Sequence, residues 1–293
     1  MKRILIFLIL LGLLYGCAPH GESAQIAATT LPIYEFTVRL CQGTGISVTR
    51  LINENVSCLH DYSLQVKQMR ILEQAELVVI NGGGLEDFME DVIHSTSNVL
   101  DASAGMELIY PEIELDHEHH HAHDGHHHDV DPHLWLSPVR ATEMTEAIYQ
   151  GLCNMYPEHK QKFSDNLTSL QADLLALQTY AEESLSSVRS RELLTFHDGF
   201  AYLAESFGLT VLEAVEEESG SEAPASELIR LIRMVETHQL PAIFTETNGS
   251  TAAAEIISAE TGAKVFSLDM IMAGDSYFDA MYRNIDTLKE ALG

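Results

Sequence analysis

Residues 77–84 read Leu77-Val78-Val79-Ile80-Asn81-Gly82-Gly83-Gly84. An apolar run this short, rich in β-branched side chains and stopped by glycines, is what a parallel strand buried on both faces looks like where it ends in a loop. Outward from it the pattern alternates. Upstream, Ile26 to Thr30 reads as a strand and Leu31 to Leu40 as a helix; Ile46 to Ile52, bounded by Gly45 and Asn53, reads as a second strand, and Tyr62 to Glu73 as a helix. Downstream, Glu86 to His94 is expected to be helical and Asn98 to Leu100 to form a further strand. This alternation predicts an α/β sheet, mainly parallel, with helices on both faces.

Two helical blocks follow. Pro138 to Met155 is the first. Pro157 to Ser187 then runs without Gly after its leading proline, with Phe163, Leu167, Leu170, Leu174, Leu177 and Tyr180 recurring every three or four residues. That spacing is one apolar stripe on a long helix, about 45 Å at 1.5 Å per residue, suited to joining two lobes as a stiff rod. Beyond it the alternation resumes. Strands are expected at Leu193–Phe196, Thr210–Leu212, Ala242–Thr245 and Lys264–Leu268, and helices at Phe200–Phe207, Ser226–His238 (with Ser226 as cap), Ser250–Thr261 and Tyr277–Leu292. The chain thus divides into a leader at 1–16, a spacer at 17–24, a first lobe at 25–156, a linking helix at 157–188 and a second lobe at 189–293.

The leader has the pattern of a signal peptide. Lys2 and Arg3 give a positive start, and Ile4 to Leu14 is an apolar run too short to span a bilayer comfortably. It ends in Leu14-Tyr15-Gly16-Cys17, which resembles a bacterial lipobox. Cys17 is therefore expected to carry lipid, tethering an exported protein to the cell membrane on its outer side. Formal net charge is −28, with 44 acidic against 16 basic residues, and loses two more positive charges with Lys2 and Arg3. Such a surface disfavours nucleic acid and anionic lipid, leaving the anchor as the only membrane contact, and it attracts cations. Cys41, Cys58 and Cys153 make an odd number, so export permits a disulfide without assigning a pair.

Asp116 to Asp129 reads DHEHHHAHDGHHHD. His117, His119, His120, His121, His123, His126, His127 and His128 are interleaved with carboxylates, a donor set that borderline divalent metals such as Zn²⁺ favour and that builds no apolar core. The loop is expected to collect metal weakly. His117-Glu118-His119-His120-His121 also satisfies the H-E-x-x-H pattern of zinc proteases, but no apolar stripe accompanies it to dock the helix that chemistry needs.

Outside the tract, His60 follows the second expected strand, His133 precedes the helix at Pro138, His197 follows Leu193–Phe196, and Asp269 follows Lys264–Leu268. Loops at the carboxyl ends of parallel strands gather at one edge, where ligands bind. Two lobes facing across a cleft would bring His60 and His133 from one side and His197 and Asp269 from the other. Three nitrogens and a carboxylate suit four-coordinate Zn²⁺.

From Thr29 to the C-terminus the chain resembles the cluster A-I solute-binding proteins of ABC transporters, the zinc and manganese lipoproteins that include adhesin-like members. The resemblance rests on landmarks in order: Thr30-Leu31-Pro32-Ile33-Tyr34; His60 before Asp61-Tyr62-Ser63; Asn81-Gly82-Gly83-Gly84-Leu85-Glu86; Asp131-Pro132-His133-Leu134-Trp135-Leu136-Ser137-Pro138; Phe196-His197-Asp198-Gly199-Phe200; Glu222-Ala223-Pro224-Ala225-Ser226; Phe244-Thr245-Glu246; and Asp269 before Asp275-Ser276-Tyr277. It implies two α/β lobes joined by one rigid helix with metal in the interlobe cleft, and it carries the ligand role to His60, His133, His197 and Asp269. Manganese-type members tend to have glutamate where this chain has His197, so Zn²⁺ is the expected cargo and Mn²⁺ the alternative. The histidine-rich insertion is likewise a zinc-type feature. Cys58 beside His60, and Met270-Ile271-Met272 after Asp269, depart from the family pattern and leave the fourth ligand open between Asp269, Glu246 and a water.

The resemblance implies a monomeric receptor that captures extracytoplasmic zinc and passes it to an ABC permease, binding without catalysis. Free histidine titrates near ~6.5, so capture should weaken in acid. Rival readings are a manganese-preferring binding protein, an exported zinc hydrolase and a surface adhesin. The hydrolase would need a metal with an open position and a general base, and the proposed cleft site has no glutamate beside a ligand in sequence; the adhesin finds no repeats or exposed aromatic runs to support it.

Overall fold

The structure is a computed structural model that describes residues 25–54, 59, 62–96, 98–110, 130–215 and 223–293. The leader, Cys17, Cys58, His60 and the histidine tract lie outside the described residues.

Among the described residues each lobe is built on a four-stranded, wholly parallel sheet, and the two sheets share one topology. The first runs β2-β1-β3-β4, from β1 (Gln25–Ala28), β2 (Ser47–Arg50), β3 (Leu77–Ile80) and β4 (Val99–Asp101). The second runs β6-β5-β7-β8, from β5 (Glu192–Thr195), β6 (Thr210–Ala214), β7 (Ala242–Glu246) and β8 (Lys264–Leu268). In both, the first strand sends the chain one way and the third strand continues the other way. The crevice beyond the carboxyl ends of β1 and β3, and of β5 and β7, is thus where such sheets leave room for a ligand. All four residues of β3 are buried, as its apolar sequence required.

The helices are α1 (Leu31–Leu40), α2 (Val66–Gln74), α3 (Glu90–Ser95), α4 (Pro138–Met155), α5 (Lys160–Leu185), α6 (Ala201–Phe207), α7 (Ala225–His238), α8 (Ala252–Thr261) and α9 (Tyr277–Leu292). Several starts differ from the sequence reading: α3 begins at Glu90, behind a 3-10 turn at Asp87–Met89, rather than at Glu86, α5 at Lys160 rather than Pro157, α6 at Ala201 rather than Phe200, and α8 at Ala252 rather than Ser250. Two others have a visible cause in hydrogen bonding. Helix α2 begins at Val66 rather than Tyr62, because the Gln68 side chain reaches back to the Gln65 N–H (2.7 Å) and the Tyr62 hydroxyl is drawn to Glu54 (2.8 Å). Helix α7 begins at Ala225, so Ser226 is not its cap: the Glu227 and Leu228 N–H groups bond to the Pro224 carbonyl.

Helix α5 is a single helix of 26 residues, entered through a 3-10 turn at Pro157–His159, and spans about 39 Å. Phe163, Leu167, Leu170, Leu174, Leu177, Ala181 and Leu185 form its buried stripe. Tyr180 is only half-buried, its hydroxyl donating to Asp286 on α9 (2.5 Å).

Covalently the lobes meet through α5, but other bonds stitch them together. Helix α9 packs on α5 and α1, Tyr277 stacks edge-on against Phe36, and its backbone N–H donates to Glu35 (2.6 Å). The Trp135 indole N–H donates to the Met270 carbonyl, and the Leu31 N–H to the Met272 carbonyl (3.3 Å). Between those two carbonyls Ile271 is fully buried at φ +61°, a left-handed conformation that a β-branched residue rarely adopts and that costs roughly 1–3 kcal/mol. Interlobe bonds on both sides, and the Asp269 carboxylate accepting the Ile271 N–H (2.7 Å), hold it there.

Candidate metal centre

The carboxyl ends of both sheets carry the residues that the sequence singled out. His197 follows β5 by two residues, Glu246 closes β7, and Asp269 follows β8. His133 arrives from the first lobe on the segment leading through a 3-10 turn (Leu134–Leu136) into α4.

His133 and His197 are brought together edge to face, ring centroids 5.4 Å apart at 81°. Each has a carboxylate on its Nδ1 side. Asp131 Oδ1 lies 2.8 Å from His133 Nδ1 and also accepts the His133 backbone N–H (2.9 Å). A carboxylate acceptor fixes Nδ1 as the protonated nitrogen, which leaves Nε2 with the lone pair that a metal needs. Glu246 Oε2 stands 3.7 Å from His197 Nδ1, an ion-pair distance longer than a hydrogen bond, and is only 7% exposed. The Thr195 hydroxyl donates to the His197 carbonyl (3.1 Å) and ties down the turn after β5.

Close approach of the lobes depends on Gly199. A Cβ there would lie 2.8 Å from His133 Nδ1 and 2.5 Å from Met270 Cε, so any side chain would push His133 from the second lobe. Trp135 also packs edge-on against His133, with ring centroids 5.2 Å apart.

Asp269 sits differently. Its backbone is clamped by the Asn284 side chain, which accepts the Asp269 N–H (2.8 Å) and donates to its carbonyl (2.7 Å). Its Oδ1 accepts from Ile271 and its Oδ2 is 4.0 Å from Arg283. Among the described residues no three His, Cys, Asp or Glu side chains form a group arranged to hold a metal ion. His133 and His197 are thus neighbours, Glu246 stands beside His197, Asp269 is engaged elsewhere, and His60 lies outside the described residues. His238 is at the opposite edge, its Nδ1 3.1 Å from Glu192 at the amino start of β5. Cys41 and Cys153 are free thiols. Sequence reasoning gave Asp131 no role; the signal was a carboxylate two residues before a candidate ligand.

A family model described as "Zinc-uptake complex component A periplasmic" (ZnuA) matches residues 26–291. The chain belongs to this ZnuA family. It is 29% identical over 307 aligned positions to the zinc-binding lipoprotein AdcA of Streptococcus pneumoniae, covering 99% of this chain and 61% of AdcA. This chain therefore spans about three fifths of the length of that ZnuA-family relative. The crystal structure of the Zn(II)-bound ZnuA-like domain of the same AdcA is 27% identical, with a TM-score of 0.76 over 92% of this chain and 99% of that domain. The solute-binding protein FpvC of Pseudomonas aeruginosa, solved in complex with Mn²⁺, is 26% identical, with a TM-score of 0.77 over 92% of this chain and 98% of FpvC. Two parallel-sheet lobes joined by a long helix are the shared architecture of this ZnuA-family fold.

Proposed function

We propose that this chain captures Zn²⁺ outside the cytoplasm and delivers it to the permease of an ABC uptake system. The observation that carries the reading is the His133–His197 pair at the meeting of the two lobes, each ring with a carboxylate on its Nδ1 side. Asp131, at hydrogen-bond distance from His133 Nδ1, orients that imidazole and raises its basicity toward metal, while Glu246 adds a negative charge beside His197. His60, His133 and His197 would supply three nitrogens and Asp269 the oxygen of a four-coordinate site. Glu246 is the other candidate for the oxygen, since it already stands beside His197 while Asp269 holds the Ile271 N–H. The zinc-binding name of AdcA supports the cargo.

A manganese-preferring protein is the second reading, favoured by the Mn²⁺ complex of FpvC. Three imidazoles weigh against it, because Mn²⁺ prefers oxygen donors and higher coordination. We read the chain as a binding protein and not an enzyme, lipid-anchored at Cys17 and monomeric, its histidine tract holding further ions weakly. Equilibrium dialysis against Zn²⁺ and Mn²⁺ tests this: one tightly held Zn²⁺ that His133→Ala and His197→Ala each abolish is expected. Tighter retention of Mn²⁺ would hand the case to the second reading, and no tight ion of either kind would overturn both.

A further inference from the structure

The loop after β3, so prominent in the sequence, takes no part in the site as described above, yet it meets the His133 segment directly. Asn81 is fully buried, and its Nδ2 donates to the Gly82 carbonyl and to the Pro132 carbonyl, both at 2.9 Å. Two carbonyl acceptors at one end of the amide fix which end carries the nitrogen. Pro132 O and His133 N belong to one planar peptide group. That group is pinned at both poles, by Asn81 on the oxygen and by Asp131 Oδ1 on the N–H (2.9 Å).

The pin is itself anchored. Glu86, fully buried in the crevice beyond β1 and β3, accepts the Asn81 N–H (2.8 Å), the Gly82 N–H (3.0 Å) and the Thr29 hydroxyl (2.6 Å). Gly82 has φ +82°, and a Cβ there would overlap the Asp101 carboxylate at 1.8 Å, so the loop is wedged against β4 as well. A Cβ on Gly83 would already touch Pro132 Cα at 3.5 Å: the loop is the seat on which the His133 segment rests.

We propose that Asn81 is a positioning residue for metal capture, its side-chain amide setting the plane of the Pro132–His133 peptide and thereby the angle at which His133 meets the ion. The proposal rests on the reading of His133 as a donor. Asn166 supplies a matched control: its Nδ2 also bridges two carbonyls, Leu40 O (2.7 Å) and Gln42 O (2.9 Å), at the end of α1 far from the strand carboxyl ends.

Zinc affinity by chelator competition, the absorption spectrum of the Co²⁺-loaded protein and the apo-protein melting temperature would be measured for wild type, Asn81→Ala, Asn81→Asp, Asn166→Ala and His133→Ala. Asn81→Ala should weaken Zn²⁺ binding about tenfold, the scale seen when a group supporting a ligand is removed, and should shift the Co²⁺ bands. Asn81→Asp, setting an acceptor against two carbonyls, should lose more. Asn166→Ala should lower the melting temperature and leave affinity and spectrum as they were. If Asn81→Ala lowers the melting temperature alone, as Asn166→Ala does, the assignment is overturned while the zinc reading stands. If His133→Ala binds as wild type does, the reading of His133 falls and takes the proposal with it. Asn81→Ser, read in the same way, serves if the alanine variant does not fold.

Discussion

Trp135 Nε1 donates to the backbone carbonyl of Met270 across 2.8 Å. The bond joins the segment that carries His133, two residues before Trp135, to the segment that carries Asp269, one residue before Met270. The Tyr277 hydroxyl completes it by donating to the Trp135 carbonyl (2.8 Å). The segments that carry candidate ligands from opposite lobes are thereby tied by buried hydrogen bonds, which fix how closely the segments approach but leave the Asp269 carboxylate turned to the Ile271 N–H.

Trp135 is the only tryptophan in the chain, so its fluorescence reports on one place. Zinc on His133, whose ring is 5.2 Å away, should change the emission and saturate with the tight site. Trp135→Phe keeps most of the packing but strips the buried Met270 carbonyl of its donor, a loss of about 1–3 kcal/mol in urea unfolding. Emission that stays constant through zinc saturation would place the metal elsewhere.

His197→Glu should separate the two metals. The substitution trades nitrogen for oxygen and sets a second carboxylate near Glu246, which stands 3.7 Å from the present Nδ1. Zn²⁺ affinity should fall at least about tenfold, or about 1.4 kcal/mol, with Mn²⁺ affinity unchanged or improved. His238→Ala, at the far edge against Glu192, should bind zinc as wild type does. Competition titrations decide it, and the reverse pattern would mean that the wrong end of the sheet has been assigned.

Local pattern made much of this legible. The buried strand Leu77–Ile80, the stripe on α5 and the placement of His197 and Asp269 just past strand ends all follow from runs of a few residues. What could not be read is what the chain achieves across long separations. Nothing near residue 135 announces a bond to residue 270, and nothing near Asn81 announces Pro132. The helix starts at Val66 and Ala225 were missed because side-chain bonds around Gln68 and the Pro224 carbonyl outweighed propensity. Asp269 was legible as a position but not as a side chain already holding Ile271, a consequence of the strained backbone that the Met270-Ile271-Met272 sequence disguises.

Deleting residues 116–129 should leave the tight zinc ion in place and remove a weaker class of bound ions, because His133 is held by Asp131 and Asn81 independently of the tract. Counting ions by dialysis checks this. Loss of the tight ion on deletion would move the main site into the tract.

The last prediction concerns Glu86 and pH. Burial pushes its carboxyl up from 4.5 to about 7, outweighing the Thr29 hydroxyl and the Asn81 and Gly82 N–H groups, which favour the charged form. The folded protein thus keeps a proton that the unfolded chain gives up near 4.5. Its contribution to stability is complete below about pH 4.5 and is lost as pH rises through about 7, a change on the order of 3 kcal/mol. Glu86→Gln does not titrate; misplacing one N–H partner costs it a constant amount. Unfolding free energies of the metal-free proteins, compared from pH 4.5 to 8, should therefore show wild type losing ground to the glutamine variant as pH rises, with the steepest change between 5 and 7. A difference that stays flat across that range would mean that Glu86 is charged throughout, with its three donors prevailing over burial.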